Sequence, residues 1–348
     1  MRVTNSITSG SLYFITERDP FCDAPAGYVK IGLVRDNDMG RSSDDRLLEH
    51  QTGNPRSLQI AASISTKASI SELEASVHQR LAAHRVSGEW FRIGDSGIQR
   101  FVDAAEELKT ELELLHSCTS SLTPFTEVRD NGEELQPDSE AEDLHAGALS
   151  LISRIQKLER KQKLLTLQLQ CIGGLEFTDI EGICRHQYSA GSSRFDSAGF
   201  ERAHPLLMQE LGRHRISGTF RLRKRPTASR GDEMKQLEQI CKDQNVTDNG
   251  PLALPRSAET ERMHAEWIDV HSDLQPLKHQ LRQHEARLKL ICAEASGIQG
   301  VCSWKRALRS TMQRQVLAQS HPDLAAEFTV ITSPRWSFRV NAWRPYRF

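Results

Sequence analysis

Between Ile70 and Ile93 the chain reads ISELEASVHQRLAAHRVSGEWFRI, and no other stretch limits its fold so tightly. Good helix formers carry Glu74 and His78 four residues apart, so both side chains leave one face of one helix. Ser87-Gly88 ends that helix, and Glu89-Trp90-Phe91-Arg92-Ile93 then alternates polar and apolar residues as a half-buried strand does. A carboxylate and an imidazole on one helix face can serve a metal ion or a phosphate, or can be an ordinary solvated face. The residues upstream favour the first.

Ser9 to Thr16 (SGSLYFIT) and Tyr28 to Leu33 (YVKIGL) are short β-rich runs joined by a Pro-containing loop, as in a hairpin. SSDDRLLEHQTGNP follows, with Ser42, Ser43 and Asp44 as N-cap candidates ahead of Arg46, Leu47 and His50, and Gly53-Asn54-Pro55 as a stop. Ser57 to Ile64 is a third strand leading into the Glu74 helix. The expected order is strand, strand, helix, strand, helix, strand: a small α+β sheet flanked by helices.

With this order and these motifs the region resembles the GIY-YIG nuclease superfamily. Leu12-Tyr13 after Gly10-Ser11 stands for the first motif and Lys30-Ile31-Gly32 for the second. Arg46, Thr52-Gly53-Asn54-Pro55, Glu74 with His78, and Gly88 to Phe91 follow in the order of a branch known from phage proteins and a eukaryotic meiotic family. The resemblance covers roughly a quarter of the chain. It implies that Glu74 holds a single divalent ion, Mg²⁺ or Mn²⁺, through hard oxygen ligation. It also implies that Tyr13 lies beside the attacking water, as base or positioner, and that Arg46 clamps the scissile phosphate. Lys30 replaces the tyrosine of the more familiar second motif, and its ammonium would lower the pKa of Tyr13 or bind phosphate. His50 and His78 are supporting candidates. Glu89 stands where other branches carry an Asn.

A chain of 348 residues holds two or three domains, and 38% hydrophobic residues are enough for a packed core. The seven cysteines, Cys22, Cys118, Cys171, Cys184, Cys241, Cys292 and Cys302, form an odd set with no CxxC pair. With no signal-peptide core at the N-terminus and no run of about 18 apolar residues, a cytoplasmic protein without a membrane span is expected. The net charge of −1 is unevenly spread. Phe101 to His145 carries thirteen Asp or Glu against Lys109 and Arg129, whereas Ile298 to Phe348 carries eight Lys or Arg against Asp323 and Glu327.

Gln99 to His116 has the apolar spacing of an exit helix, which closes a first domain over residues 8–117. Residues 118–143 read as an acidic linker. Two coiled-coil-like seams follow: Leu151, Ile155, Leu158, Gln162, Leu165, Leu169 and Ile172, then Trp267, Val270, Leu274, Leu277, Leu281, His284, Leu288 and Ile291, the second with Pro276 inside it as an expected kink or restart. After each seam comes an internal repeat: Ile180 to Cys184 matches Ile298 to Cys302, Ala203 to Leu207 matches Ser320 to Leu324, and Phe220 to Arg223 pairs with Phe338 to Asn341, about 118 residues apart. A mainly α region is expected, with modules over 144–226 and 257–348 separated by a polar linker at 227–256. The seams offer a route to a homo-oligomer.

Phosphodiester hydrolysis needs a deprotonated water, charge neutralisation at the phosphoryl oxygens and help for the leaving oxygen. Tyr13, Arg46 and Glu74 together favour a metal-dependent DNA endonuclease over the alternative, a non-cleaving DNA-binding or scaffold protein. Each repeat ends in a basic strand: Arg221, Arg223, Lys224 and Arg225 in the first, Arg335, Arg339, Arg344 and Arg347 in the second. Arg interleaved with Phe, Trp and Tyr suits phosphate contact with base packing. It suits equally an amphipathic strand whose aromatics fill a core.

Overall fold

The computed structural model describes residues 8–18, 25–36, 41–52, 54, 56–94, 97–227, 231–244 and 250–343. Cys22, Gly53, Pro55, Arg344 and Arg347 lie outside them. The fold is α+β throughout.

The first sheet is built from β1 (Gly10–Arg18), β2 (Pro25–Arg35), β3 (Ser57–Thr66), β4 (Arg85–Ser87) and β5 (Trp90–Arg92), in the order β3-β1-β2-β5-β4. Strand alternation splits β1 between two faces. Leu12 and Phe14, with Val29, Ile31 and Leu33 of β2, point to one core, closed by Leu73 and Val77 of α2 (Ile70–Arg80) and by Phe101, Ala105 and Leu108 of α3 (Gln99–Ser121). Tyr13 and Ile15 point the other way, with Val34 and Leu58, under Leu47 of α1 (Ser43–Gln51). Each fully buried Leu, Ile or Phe contributes roughly 1.5–3 kcal/mol, so the α2/α3 side, with the larger cluster, anchors the domain and the α1 side is the thinner layer. Ser42 caps α1 in a capping box with Asp45, and Ser69 caps α2 by accepting from the Glu72 amide.

The rest of the chain comprises α4 (Thr123–Thr126), β6 (Glu134–Leu135), α5 (Ser139–Gln170), β7 (Thr178–Ile180), β8 (Cys184–Ser189), β9 (Ser193–Phe195), α6 (Ser197–Ala203), α7 (Pro205–Leu211), β10 (Gly212–Leu222), α8 (Asp232–Asp243), β11 (Leu252–Leu254), α9 (Ala258–Cys292), β12 (Gly297–Ile298), β13 (Cys302–Met312), α10 (Arg314–Ser320), α11 (Pro322–Glu327), β14 (Thr329–Ile331) and β15 (Arg335–Val340). The expectation of a mainly helical region fails here. Three further sheets run β10-β13-β12-β6, β11-β7-β8-β15 and β14-β9. They escape a reading by local periodicity because their partners are distant: β8 pairs with β15 and β10 with β13.

The two seams face each other within the chain. Leu151 and Ile155 of α5 pack on Val270, Leu274 and Leu277 of α9, and Gln162 bonds His271 while the Trp267 indole donates to Thr166, a register that makes the helices antiparallel. Helix α9 runs through Pro276 without a restart. The missing amide bond is outweighed by neighbours on several sides: Ser272 donates to the carbonyls of Gln79 (2.8 Å) and Arg80 (3.1 Å), Ser76 meets His279 at 3.3 Å, and Gln283 donates to the Glu111 carbonyl at 3.1 Å. The Ser272 and His279 bonds brace α2 against α9, and the Gln283 bond ties α9 to α3.

The acidic stretch 118–143 is not a free linker either. Strand β6 pairs with β12, Asn131 donates to the Glu294 carbonyl, and buried Arg306 donates its backbone amide to Asp130 and a guanidinium nitrogen to the Phe125 carbonyl. Its acidic composition mimics disorder, but its backbone is satisfied by residues far along the chain.

Candidate active site

Tyr13 and Gly32 are cross-strand partners on β1 and β2, and Lys30 shares their face. The Tyr13 ring covers Gly32, so a β-carbon at residue 32 would stand 2.6 Å from the ring carbon that bears the hydroxyl. The phenol is 1% exposed under α1, from which His50 and Arg46 descend. Tyr13 Oη lies 3.4 Å from His50 Nε2, the outer limit of a hydrogen bond. Burial first, then the nearby Glu89 and Glu74 charges, push the phenol up to about 12 against the opposing pull of Arg46. Tyr13 is therefore a neutral phenol at physiological pH. Burial, followed by the charges of Lys30 and Arg46, moves His50 the other way, below the ordinary imidazole value, so it is a neutral base there.

Lys30 corrects an expectation. Its ammonium is ion-paired with the Glu89 carboxylate and is 7% exposed, and so it does not draw down the Tyr13 pKa. For Glu89, burial acts upward, but the Lys30 hydrogen bond and charge prevail and hold the carboxyl below its usual range. Arg46 Nη1 donates to Glu49 at 3.0 Å. Burial alone would lower the guanidinium pKa; Glu49, Tyr13 and Glu89 outweigh it, so the Arg46 charge is secure.

Among the described residues strand β5 pairs with β2 only from Tyr28 to Lys30, and no strand pairs with that edge of β2 beyond residue 31. Helix α2 comes to that edge. His78 donates from Nε2 to the Ile31 carbonyl at 3.0 Å, which fixes its tautomer because a carbonyl can only accept, and its ring packs 5.1 Å from Phe91. Burial, against the effect of that bond, lowers its pKa. His78 is committed as a brace for α2 rather than left open to a reactant. Glu74, one turn earlier, has no hydrogen-bond or ion-pair partner among the described residues. Burial first, then the Glu89 charge, raise its carboxyl to about 7, while Arg35, Lys30 and Arg85 pull it down.

That environment fits a divalent ion. A partly buried carboxylate beside a second one, with its charge uncompensated by contact, is stabilised by a hard cation. No cluster of three or more His, Cys, Asp or Glu surrounds it among the described residues, so most of the coordination would fall to water and substrate, as Mg²⁺ prefers.

Reading by motif passed over two cations. Arg35 donates to Ser71 at 3.2 Å, and Arg85 donates to the Gly88 carbonyl at 2.5 Å with its guanidinium 5.9 Å from the Phe91 ring and 5.7 Å from Trp343. Arg85 falls inside the stretch 70–93, two residues before Ser87-Gly88, and that position was the available signal. The Asn54 side chain accepts from the Arg56 amide and donates to Glu17, a turn that supports the end of α1.

The basic terminal strands divide their residues by parity. On β15, Arg335 and Arg339 face out, while Phe338 packs at a tilt 4.9 Å from buried His186 and Trp336 lies 5.3 Å from Phe177. These aromatics pack within the protein. Arg223 is paired with Glu134 at 3.1 Å, and Arg221, Lys224 and Arg225 are exposed. None of these lies in the group around Tyr13 and Glu74.

Residues 10–110 match the model of the T5orf172 domain, which belongs to the GIY-YIG-like nuclease group. Neither a curated protein nor a solved structure matches the chain. No helix among the described residues is long and apolar enough to cross a membrane.

Proposed function

We propose that this chain is a metal-dependent DNA endonuclease of the GIY-YIG type, in the K-I-G, ExxxH and GEWF branch. The observation that carries the reading is Glu74, a carboxyl raised to about 7 and left without a contact partner among Arg35, Lys30 and Arg85 at the open edge of β2. A cation there and cations around it suit a phosphodiester rather than a neutral substrate. Glu74 would hold a single Mg²⁺ or Mn²⁺, which supplies charge stabilisation at the phosphoryl oxygens and eases ionisation of water.

The residues of the chain itself account for the rest. Arg46, permanently charged, is placed to bind a phosphate oxygen in two-pronged fashion once it releases Glu49. His50 is neutral near pH 7 and can accept the proton of an attacking water, directly or through the Tyr13 hydroxyl that touches it. Lys30 holds Glu89 at the mouth of the site. The two segments after α5 and α9, each with a Gly turn, a short helix before His-Pro and another after it, read as one unit used twice for binding DNA or a partner.

One observation favours the rival reading of a binding or scaffold protein: Tyr13 is 1% exposed under α1. Incubating the purified chain with plasmid, linear and single-stranded DNA, with Mg²⁺ or with EDTA, separates the two. Metal-dependent scission is expected; DNA binding without scission under either condition would support the rival.

A further inference from the structure

Strands β10 and β13 form an antiparallel ribbon of eleven cross-strand pairs, from Gly212 opposite Met312 to Leu222 opposite Cys302. Neither strand contains an Asp or Glu. Alternation sorts its side chains onto two faces. One face is covered by protein toward its Leu222 end: Phe220, Leu222, Cys302 and Trp304 join the core beneath α9, and Arg306 on that face is 3% exposed and tied to the carbonyls of Phe125, Ala293 and Ala295, while His214 and Leu308 of the same face are exposed. The other face carries Arg213, Arg215, Arg221, Lys305 and Arg309, all exposed. Ser217 and Ala307 stand opposite each other between them, so no bulky side chain rises from the middle of the row.

None of these five cations has a carboxylate partner among the described residues; Arg309 meets only the Thr219 hydroxyl, at 3.5 Å. Arg223, just past the ribbon, is by contrast neutralised by Glu134. Arg215 and Arg309 are direct cross-strand partners, and like charges at such a position oppose pairing. The fold thus holds a row of cations against its own repulsion, a state that an approaching polyanion relieves. From Arg213 to Arg221 the row extends about 27 Å at roughly 3.3 Å per residue, long enough to follow several phosphates of a duplex.

We infer that the outer face of the β10–β13 ribbon is a DNA-docking surface that binds the phosphate backbone through Arg213, Arg215, Arg221, Lys305 and Arg309. The choice of DNA as the polyanion rests on the nuclease reading of residues 10–110, while the surface itself is independent of catalysis. It also shifts DNA binding away from the terminal strand alone: two of the five cations belong to β13, which the terminal basic runs do not include.

The test is fluorescence anisotropy of a labelled duplex of about 30 base pairs, long enough to span the row, with the full chain in EDTA over a salt series. Replacing Arg213, Arg215, Lys305 and Arg309 together by Ser removes four exposed side chains, and circular dichroism with a melting curve checks that the fold is kept. The slope of log K against log salt should flatten by about 3 to 4, near 0.9 for each phosphate no longer neutralised, with weaker binding at low salt. A second variant, Arg154→Ser with Arg160→Ser on exposed α5 positions, should leave the slope as in the wild type. A folded ribbon variant with the wild-type slope, or equal flattening in the α5 variant, overturns the assignment. Cleavage is scored separately on the wild type with Mg²⁺. Weakened binding in the ribbon variant together with an inert wild type would uphold the surface and reject the nuclease, whereas cleavage with an unchanged slope would do the reverse.

Discussion

Tyr13 and Gly32 face one another across the β1–β2 ladder, and the phenol occupies the space that any side chain at residue 32 would need. The glycine of the K-I-G motif is thereby explained by room rather than by backbone conformation, and it fixes where the hydroxyl meets His50.

Gly32→Ala tests that relationship. The added carbon would stand 2.6 Å from Tyr13 Cζ, so the ring or the strand must shift. Overpacking of this kind costs about 1–3 kcal/mol. Denaturant titration should show that decrease, and nicking of plasmid should fall at least tenfold, by an order-of-magnitude reading of misplaced groups, while DNA affinity is retained. Wild-type nicking in Gly32→Ala would show that the Tyr13 position does not matter.

Arg46→Lys separates charge from shape. Lys keeps the cation but lacks the planar fork, and the rate should drop by about 10²-fold. Single-turnover cleavage reads it, and near-normal turnover would reassign Arg46 to helix-surface pairing with Glu49.

The seam on α9 is covered by α5 of the same chain, with Leu274 1% and Leu277 6% exposed. Leu277→Asp should lower stability by on the order of 3 kcal/mol or more, since it places a charge in an apolar environment. Light scattering should give the same mass as the wild type. A changed mass with unchanged stability would mean that the seam serves a second copy.

The pH dependence of stability follows from Glu74. Its carboxyl, raised from 4.5 to about 7 in the folded protein, keeps a proton that the unfolded chain has already released, so stability falls as pH climbs from about 4.5 to 7 and is level above. Glu74→Gln is free of this decline. It should melt with the wild type near pH 4.5 and above it at pH 8, by about 1–2 kcal/mol after allowance for solvent screening. Mg²⁺ should raise the melting point of the wild type at pH 8 and leave that of Glu74→Gln unmoved. Melting curves for the two proteins that coincide at both pH values would show that Glu74 is not destabilised.

Strands β1, β2, β3 and β5 and helices α1 and α2 were legible because each is short and local, with alternation in β3 and cap residues before α1, but β4 was not: the helix expected to run to Ser87-Gly88 ends at Arg80, and Arg85–Ser87 pairs with β5 as a strand. Arg46 and His50 stand over Tyr13, and the Glu74 charge reaches the phenol, but the state of Tyr13 was not legible, since it depends on α1 covering the phenol and on Glu89 taking the Lys30 ammonium. Arg35 and Arg85 belong to no motif and enter through the shape of the open β2 edge. In the second half the helices of both seams were legible by spacing, whereas the sheets were not. A strand such as β13 owes its existence to β10, about ninety residues away, and periodicity within one window carries no record of such a partner.

The central claim, that Glu74 makes this fold a metal-dependent nuclease, is tested most directly by the rate of supercoiled plasmid nicking in Mg²⁺ by the wild type and by Glu74→Gln, with binding of the same DNA measured in EDTA. The expected result is nicking by the wild type, a decrease of at least about 10³-fold in the variant on the scale of a removed electrostatic contributor, and equal binding by both. Nicking of equal rate in the two proteins would contradict it.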